Sequence, residues 1–337
     1  MMNKNILKIC MVLPVLGAAL VSCNKEWVEE QYEHYISFAT PLDYTAGTSS
    51  IYVSYKEDGN VTYKVPVVVS GSTEPDSDMD IRVKVDKDTL ALINDDHFKQ
   101  RSDLYYKELP SSFYSLGDAT VHIPAGEYQG TLDVNFSLRD IDLTEKWVLP
   151  LMIDDENASY TAHPRKDYAK AILRVIPFNK YSGKYNATTM NVYMGNETTN
   201  AICVTDRTLY VVDGESVFFY AGLTDEELTT SLRNRYKIVV RFEEDYDEDG
   251  MGNVFLSAAD PSLNLRTNGK QTYEITERKD ALQPYLVHRY VTLRLNYYYD
   301  DFTTYSDKVL TYHAKGSMMT ERKINTQIPD EDQAIDW

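Results

Sequence analysis

Long hydrophobic runs are almost absent from this 337-residue sequence. One charge-free stretch of thirteen residues stands out, ICMVLPVLGAALV at residues 9–21, and Lys4 and Lys8 precede it. A membrane-spanning helix needs about 20 apolar residues, so this run is too short to span. Its length and basic flank instead predict a signal peptide covering residues 1–22.

The predicted signal peptide ends in Leu20-Val21-Ser22-Cys23, which resembles the lipobox of bacterial lipoproteins. The resemblance implies that Cys23 is lipidated and becomes the mature N-terminus. Residues 23–34 then form a polar tether. Its acidic residues, Glu26, Glu29 and Glu30, resemble the surface-export signal of Bacteroidota lipoproteins and favour display outside the outer membrane.

Cysteine is scarce, with three residues in the chain. Cys10 lies in the predicted signal peptide and Cys23 carries the predicted lipid. Cys203 alone remains, which excludes an intramolecular disulfide in the mature protein. The sequence AICVTD around Cys203 is typical of a strand, where a free cysteine is usually a small buried hydrophobic residue.

Positive charge is also in deficit. The formal net charge is −18, and removing residues 1–22, which hold two lysines and no acidic residue, makes it −20. Binding to nucleic acid depends largely on Lys and Arg neutralising phosphates, so a nucleic-acid partner is not expected. The acidity also predicts that contact with a membrane is made through the lipid anchor only.

Motifs of catalysis are missing. The sequence contains no GxSxG elbow, HExxH motif, P-loop or GxGxxG, and its six histidines have no metal-ligand spacing. Asp140, Asp142 and Glu145 superficially resemble the acidic motif of chitinase-like barrels but lack its spacing and glycine. We therefore predict that the protein is not an enzyme; a glycoside hydrolase, which needs two suitably spaced carboxylates, is the least favoured alternative.

Short runs rich in Val, Ile and Tyr, separated by turn residues, predict an all-β protein. Leu132, Val134 and Phe136 alternate with polar residues, as in a half-buried strand. Eight such strands over residues 35–176 predict an immunoglobulin-like antiparallel β-sandwich. The predicted strands lie at residues 35–39, 50–55, 61–70, 80–86, 119–138 (two strands), 147–153 and 168–176.

A second β-rich domain, a barrel or a sandwich, is predicted over residues 178–337 after a linker around Pro177. Thr224 and Glu227 have the spacing of a capping box, which predicts one short helix over residues 224–235. The last long hairpin joins residues 288–299 to residues 308–318.

The segments LALIN (90–94), Leu109-Pro110, VHIPAGEYQG (121–130) and WVLPLMI (147–153) resemble an N-terminal domain family of Bacteroidota lipoproteins. That family includes the module ahead of the catalytic domain in some surface endo-β-N-acetylglucosaminidases. The C-terminal half resembles the uncharacterised domain that often follows it in lipoproteins of glycan-utilisation loci. The resemblance implies glycan binding beside an outer-membrane import channel and its lipoprotein lid.

An acidic segment matches the first three-quarters of a calcium loop. Asp245, Asp247 and Asp249 occupy positions 1, 3 and 5, Gly250 position 6 and Asn253 position 9. Position 12 is Leu256 instead of the usual glutamate, so another segment would have to complete the coordination. Calcium is therefore the one candidate cofactor, and the alternative is an acidic hairpin turn.

Tyrosine is abundant, with 27 residues, and its ring can stack on a sugar while its hydroxyl forms hydrogen bonds. Alternation in the strand at residues 290–299 separates an apolar face from a polar-aromatic one, although tyrosine is also a favoured strand residue. The polar-aromatic face and the loop beside it form the predicted glycan-binding set: Tyr290, Arg294, Asn296, Tyr298, Asp300, Asp301 and Tyr305.

These observations together predict a non-catalytic surface lipoprotein that binds an oligo- or polysaccharide. The alternative of another class is a structural or adhesive lipoprotein whose partner is a protein; it would expose a large apolar patch.

Overall fold

The computed structural model describes residues 30–224, 229–243, 251–305 and 307–329. The predicted signal peptide and Cys23 lie outside this part of the chain, so lipidation stays a prediction. No helix within these ranges is long and apolar enough to cross a membrane.

The first half of the chain forms two packed sheets. The twelve strands of these sheets are β1 (Tyr35–Phe38), β2 (Leu42–Asp43), β3 (Thr48–Ser54), β4 (Asn60–Val69), β5 (Met79–Val85), β6 (Lys107–Glu108), β7 (Tyr114–Ser115), β8 (Thr120–Ile123), β9 (Gln129–Ser137), β10 (Trp147–Asp154), β11 (Thr161–Ala162) and β12 (Lys170–Phe178). The five-stranded sheet has the order β11-β1-β4-β9-β7, and the seven-stranded sheet has the order β2-β3-β12-β10-β5-β8, with β6 beside β10.

The inner faces of the two sheets form one core. Leu132, Val134 and Phe136 are buried on β9, as their alternation predicted, and they pack with Leu149 and Leu151 of β10. The sandwich is mainly antiparallel, but β12 pairs with β3 in parallel over six residues. Two short pairs, β1 with β11 and β6 with β10, are parallel as well.

Helix α1 (Lys87–Phe98) covers the outer side of the seven-stranded sheet, and the sequence did not predict it. Leu90 packs there against Val148 of β10 and Ile172 of β12. This contact explains why the run WVLPLMI is apolar on both faces of its strand. A second short helix, α2, spans Lys166–Ala169.

The second half of the chain forms a sheet that closes on itself. The eleven strands of this sheet are β13 (Gly183–Asn186), β14 (Asn191–Met194), β15 (Ile202–Cys203), β16 (Asp206–Val211), β17 (Ser216–Tyr220), β18 (Lys237–Phe242), β19 (Met251–Ala258), β20 (Arg266–Thr267), β21 (Thr272–Lys279), β22 (Leu286–Asp301) and β23 (Leu310–Asn325). Eight of them complete an antiparallel circuit, β13-β16-β17-β18-β19-β21-β22-β23, which returns to β13 through a short pairing of Asn186 with Met319. Of the two predicted architectures, the pairings form a barrel.

Aromatic rings fill this barrel. Tyr181, Tyr185 and Tyr273 are completely buried, and the ring of Tyr181 stacks on Phe242 with 3.6 Å between centroids. The Tyr185 hydroxyl donates to the Tyr181 carbonyl and the Tyr273 hydroxyl donates to the Glu243 carbonyl, so both of these buried hydroxyls have a partner. Much of the tyrosine content therefore serves the core and is not evidence for sugar binding.

The predicted helix is displaced. Helix α3 spans Thr230–Tyr236, and the Thr229 side chain caps it by accepting from Leu232 N. The Thr224 hydroxyl donates to the Ala221 carbonyl. Residues 225–228, which include Glu227 of the predicted capping box, lie outside the described residues.

Cys203 was predicted to be buried, and that prediction is wrong. The residue lies at the end of the two-residue strand β15 and is exposed, with a free thiol. Its strand is at the edge of the sheet, next to β14.

The segment after β9 joins the sandwich to the barrel. Leu143 packs against Tyr210, Phe218 and Tyr220 on the outer side of β16 and β17. Lys237 Nζ lies 3.1 Å from Asp142 Oδ1.

Arg233, which is 1% exposed, donates from Nε to the Thr144 carbonyl at 2.9 Å. Its guanidinium also lies 3.6 Å from Glu145, which pairs with Lys107. Asp142 and Glu145, considered above as a catalytic motif, thus lie in the contact between the two halves.

Candidate functional site

The alternation predicted for the strand at residues 290–299 is present in β22. Val291, Leu293 and Leu295 are buried in the barrel, whereas Arg294 and its even-numbered neighbours lie on the outer surface. Strand pairing then places partners from other segments beside them.

Four strands contribute one row of side chains across the outer surface, which we call the ring row. Strand register places Tyr193 of β14 opposite His313 of β23, His313 opposite Tyr298 of β22, and Tyr298 opposite Arg266 of β20. The rings of Tyr298 and His313 are stacked, with 4.1 Å between centroids and 11° between planes. The guanidinium carbon of Arg266 lies 5.7 Å from the centroid of the Tyr298 ring, and the ring centroids of Tyr193 and His313 are 6.1 Å apart.

A hydrogen bond holds the His313 side of the Tyr298–His313 stack. His313 Nε2 lies 2.6 Å from Asn296 Oδ1. Burial, together with nearby Lys315, lowers the pKa of His313, so the imidazole is neutral at neutral pH. A neutral imidazole bonded to the amide oxygen through an N–H leaves its other nitrogen as an acceptor.

Asp300 organises the opposite end of the row. Its carboxylate accepts from Asn264 Nδ2 at 2.9 Å and from the Thr311 hydroxyl at 2.7 Å, and Arg266 lies 3.4 Å away. The surface thus combines aromatic rings, an amide, a carboxylate and a guanidinium. Such a mixture can hydrogen-bond the hydroxyls of a polar ligand while offering it apolar ring surface.

Two predicted residues lie away from the ring row. Tyr290 is eight residues from Tyr298 along β22, roughly 27 Å at the rise of a strand. It neighbours His288 and Glu321 instead. Arg294 lies between these two regions and pairs with Glu274 of β21.

Asp301 does not belong to the site. It is 4% exposed and lies on the inner side of β22. It accepts from the Tyr236 hydroxyl at 3.0 Å and the Thr303 hydroxyl at 2.6 Å. Burial pushes the pKa of Asp301 upward, but hydrogen bonds from Thr303, Thr304 and Tyr236 outweigh burial and hold the pKa below its usual value. The sequence predicted that the strand ends at residue 299 and that Asp300 and Asp301 share the loop after it. β22 instead continues to Asp301, so alternation places the two aspartates on opposite sides of the strand.

Tyr305, the last predicted residue, is 53% exposed in the connection between β22 and β23. Sequence reasoning missed His313, Tyr193 and Arg266. Leu310, Tyr312 and Ala314 are buried, and Thr311 and His313 alternate with them. The outward direction of His313 could therefore have been predicted from the sequence. Its position opposite Tyr298 depends on the register of the hairpin.

Most of the predicted calcium loop lies outside the described residues, including Asp245, Asp247 and Asp249. Asn253 lies in β19, and its Nδ2 donates to Glu243 Oε2 at 2.9 Å. β18 and β19 pair as a hairpin from Phe242 and Val254 onward. Within the described ranges, no cluster of three or more potential metal ligands occurs. Calcium binding stays a prediction.

The sandwich carries a cleft on its surface. A cleft of about 560 Å³ lies between α1, the turn after β2 and α2. Tyr44, which is 76% exposed, and Leu92, which is 69% exposed, line it together with His97.

The fold and site define a two-domain all-β protein with a polar-aromatic face on its barrel. Two family models match it: DUF4973, a domain of unknown function, over residues 27–157, and a model described as "-like, C-terminal" over residues 169–319. No curated protein matches the chain.

Solved Bacteroides structures resemble the chain over nearly its whole length. One Bacteroides ovatus protein of unknown function is 44% identical; the match covers 90% of this chain and 100% of that one, with a TM-score of 0.78. A B. ovatus multidomain protein including DUF1735 is 44% identical over the same shares, with a TM-score of 0.77. An auxiliary nutrient binding protein from Bacteroides thetaiotaomicron is 38% identical, with 91% and 100% covered and a TM-score of 0.78. The chain belongs to the family of two-domain Bacteroides proteins that these structures represent.

Proposed function

We propose that this protein is a non-catalytic, lipid-anchored surface protein that binds an oligo- or polysaccharide on the ring row. The observation that carries the proposal is the ring row itself, in which Tyr193, His313, Tyr298 and Arg266 share one outer surface. The B. thetaiotaomicron relative described as an auxiliary nutrient binding protein supports a role in nutrient capture.

The geometry indicates how a glycan would bind. Because the rings of Tyr298 and His313 stack on each other, the ring faces between them are covered. A sugar would therefore contact the edges of these two rings and the two ends of the row, at Tyr193 and Arg266. Asn296 and Asp300 lie on the same surface as polar partners for hydroxyl groups. A carboxylate accepts from sugar hydroxyls, and an amide both donates and accepts.

The test is binding of the purified chain to a panel of host and dietary polysaccharides, measured by affinity gel electrophoresis and then by calorimetry. Tyr298→Ala should weaken binding by about 1–3 kcal/mol, the range for losing an aromatic contact together with a hydrogen bond. Tyr44→Ala is the matched control, since Tyr44 is an exposed tyrosine in the sandwich cleft.

Three outcomes would contradict the proposal in different ways. If no polysaccharide of the panel retards the protein in the gel, glycan binding is contradicted. Loss of binding in Tyr44→Ala but not in Tyr298→Ala would move the site to the cleft. Capture of a protein partner without sugar would favour the structural or adhesive alternative.

A further inference from the structure

Several of the hydrogen bonds that hold the start of the described chain to the sandwich converge on the Glu30 carboxylate, and Gln31 N donates to the Ser72 hydroxyl beside it. Glu30 accepts hydrogen bonds from the backbone N–H and the hydroxyl of Ser72 at 2.8 Å each. It also accepts from the N–H of Thr73 at 2.8 Å and its hydroxyl at 2.6 Å. His34 Nε2 lies 2.7 Å from the same carboxylate, and Tyr32 N donates to it at 2.8 Å. We call this arrangement the Glu30 clasp.

Gly71 makes the clasp possible. Its φ of +147° lies in a region that residues with side chains rarely adopt, and a Cβ built on it would lie 2.3 Å from His34 and 3.1 Å from Glu30. Hydrogen bonds from the Thr73 hydroxyl and Ser72 N–H hold the pKa of Glu30 well below its usual range. The clasp is therefore a charged acceptor enclosed by donors at neutral pH.

The clasp and the barrel lie at opposite ends of the sandwich. β4 runs from Asn60 to Val69, next to the Gly71 turn, and its ten residues span about 30 Å at roughly 3.3 Å per residue. Asn60 pairs with Ser137, immediately before the segment that contacts the barrel. Tyr55 N donates to the Phe178 carbonyl at the same end.

The ring row lies on the far side of the barrel. Leu143 contacts the outer surface of β16 and β17. In the closed circuit of eight strands, β22 is the fourth neighbour of β17 in either direction, so the two occupy opposite walls. Tyr298, on the outer side of β22, therefore points away from the sandwich.

We propose that the end of the sandwich carrying the Glu30 clasp faces the lipid surface, and that the clasp orients the chain so that the ring row points away from the membrane. The inference rests on lipidation of Cys23 as part of the proposed function. Only residues 24–29 separate Cys23 from Glu30, and a chain of that length spans at most about 25 Å. The turn after β4 is thus confined close to the bilayer.

The test uses the lipidated full-length mature chain in neutral phosphatidylcholine vesicles that contain an acceptor dye on a lipid. Cys203→Ser removes the exposed thiol, and a donor dye is then placed on Asp76→Cys near the clasp or Arg294→Cys on β22. Energy transfer should be strong from position 76 and lost from position 294. Equal or reversed transfer would overturn the orientation.

Glu30→Ala tests the clasp itself. It should make the difference in transfer between the two positions smaller, because the chain before β1 then loses the hydrogen bonds of the Glu30 carboxylate to the turn. Glu33→Ala is the matched control: Glu33 is a nearby glutamate whose carboxylate accepts from the Tyr35 hydroxyl instead of from the Ser72–Thr73 turn. An unchanged difference in Glu30→Ala, with circular dichroism showing a folded protein, would overturn the role of the clasp.

The experiments test the lipid anchor and the glycan site independently of each other. A mature chain that does not float with vesicles would overturn the anchor and the orientation together. Polysaccharide binding is measured in solution and would be unaffected by that result.

Discussion

Tyr297 and Tyr298 are consecutive in sequence and lie on opposite sides of the barrel wall. Burial raises the pKa of Tyr297, whose hydroxyl oxygen accepts from Gly222 N at 3.2 Å inside the barrel. Tyr298 stacks on His313 outside. Composition cannot distinguish these two uses of tyrosine, whereas position in the strand can.

Asp300 and Asp301 are a second such pair, and substituting each should give opposite results. Asp301→Ala removes the acceptor of the buried Tyr236 hydroxyl, so the free energy of unfolding should fall by about 1–3 kcal/mol. Polysaccharide affinity should hardly change. Asp300→Ala should weaken affinity and lower the free energy of unfolding less than Asp301→Ala does, because the Asp300 carboxylate, although it accepts from Asn264 and Thr311, lies on the outer surface. Urea denaturation and calorimetry measure the two quantities; a loss of affinity in Asp301→Ala alone would contradict this assignment.

His288 should make stability depend on pH. Hydrogen bonds to Glu321, at 2.5 Å, and Asp280, at 3.0 Å, raise its pKa. A pKa raised on folding stabilises the protein fully below the unfolded-state value of about 6.5, and this contribution is lost as pH rises through the folded-state pKa. The free energy of unfolding of the wild type minus that of His288→Gln should therefore decrease across that window. A difference that stays constant between pH 5 and pH 9 would show that the imidazole does not gain charge stabilisation from its partners.

At the scale of elements, the strands were easier to predict than the helices. Leu132, Val134 and Phe136 show the alternation that burial of one strand face requires. In α1, few apolar residues face the sheet, mainly Leu90 and Ile93, so its helical periodicity is weak. One feature of the sequence does indicate the start of this helix: Asp86, whose side chain accepts from Thr89 N and caps the helix.

Helix α1 offers a matched pair of leucines. Leu90→Ala empties a position that is 6% exposed and should lower the free energy of unfolding by about 2–4 kcal/mol. Leu92→Ala, at a position 69% exposed, should change it by less than about 0.5 kcal/mol. Equal effects in urea denaturation would mean that α1 does not pack on the sheet as described.

The barrel hairpin shows where prediction of the site stopped. The polar face of β22 followed from alternation, which placed Asn296 and Tyr298 together correctly. His313, Tyr193 and Arg266 come from three other strands, and only long-range register brings them into the ring row. One-residue slips reverse every side chain of a strand, so this part of the site required the structure.

At the scale of the whole molecule, the contact between sandwich and barrel should make the two halves unfold together. Leu143 belongs to the packing of both, because it contacts the sandwich core and the cluster around Phe218. Leu143→Asp would bury a carboxylate there, and burial without a partner is strongly unfavourable. Scanning calorimetry should show one transition for the wild type and two for this variant.

The control for that experiment is Leu92→Asp, which places the same charge at an exposed position. It should keep a single transition at nearly the wild-type temperature. Two transitions already in the wild type would show that the halves unfold independently despite their contact.

The parallel pairing of β3 with β12 has a mechanical consequence. Under the proposed function, a force between the lipid anchor and a bound polysaccharide would pull the sandwich at its Glu30 side and at Phe178, where β12 leads into the barrel. Such a force acts along the strands, so the six register pairs of β3 and β12 and the five of β10 and β12 are loaded in shear, all at once. We expect the sandwich to resist tension as a unit instead of unzipping one hydrogen bond at a time.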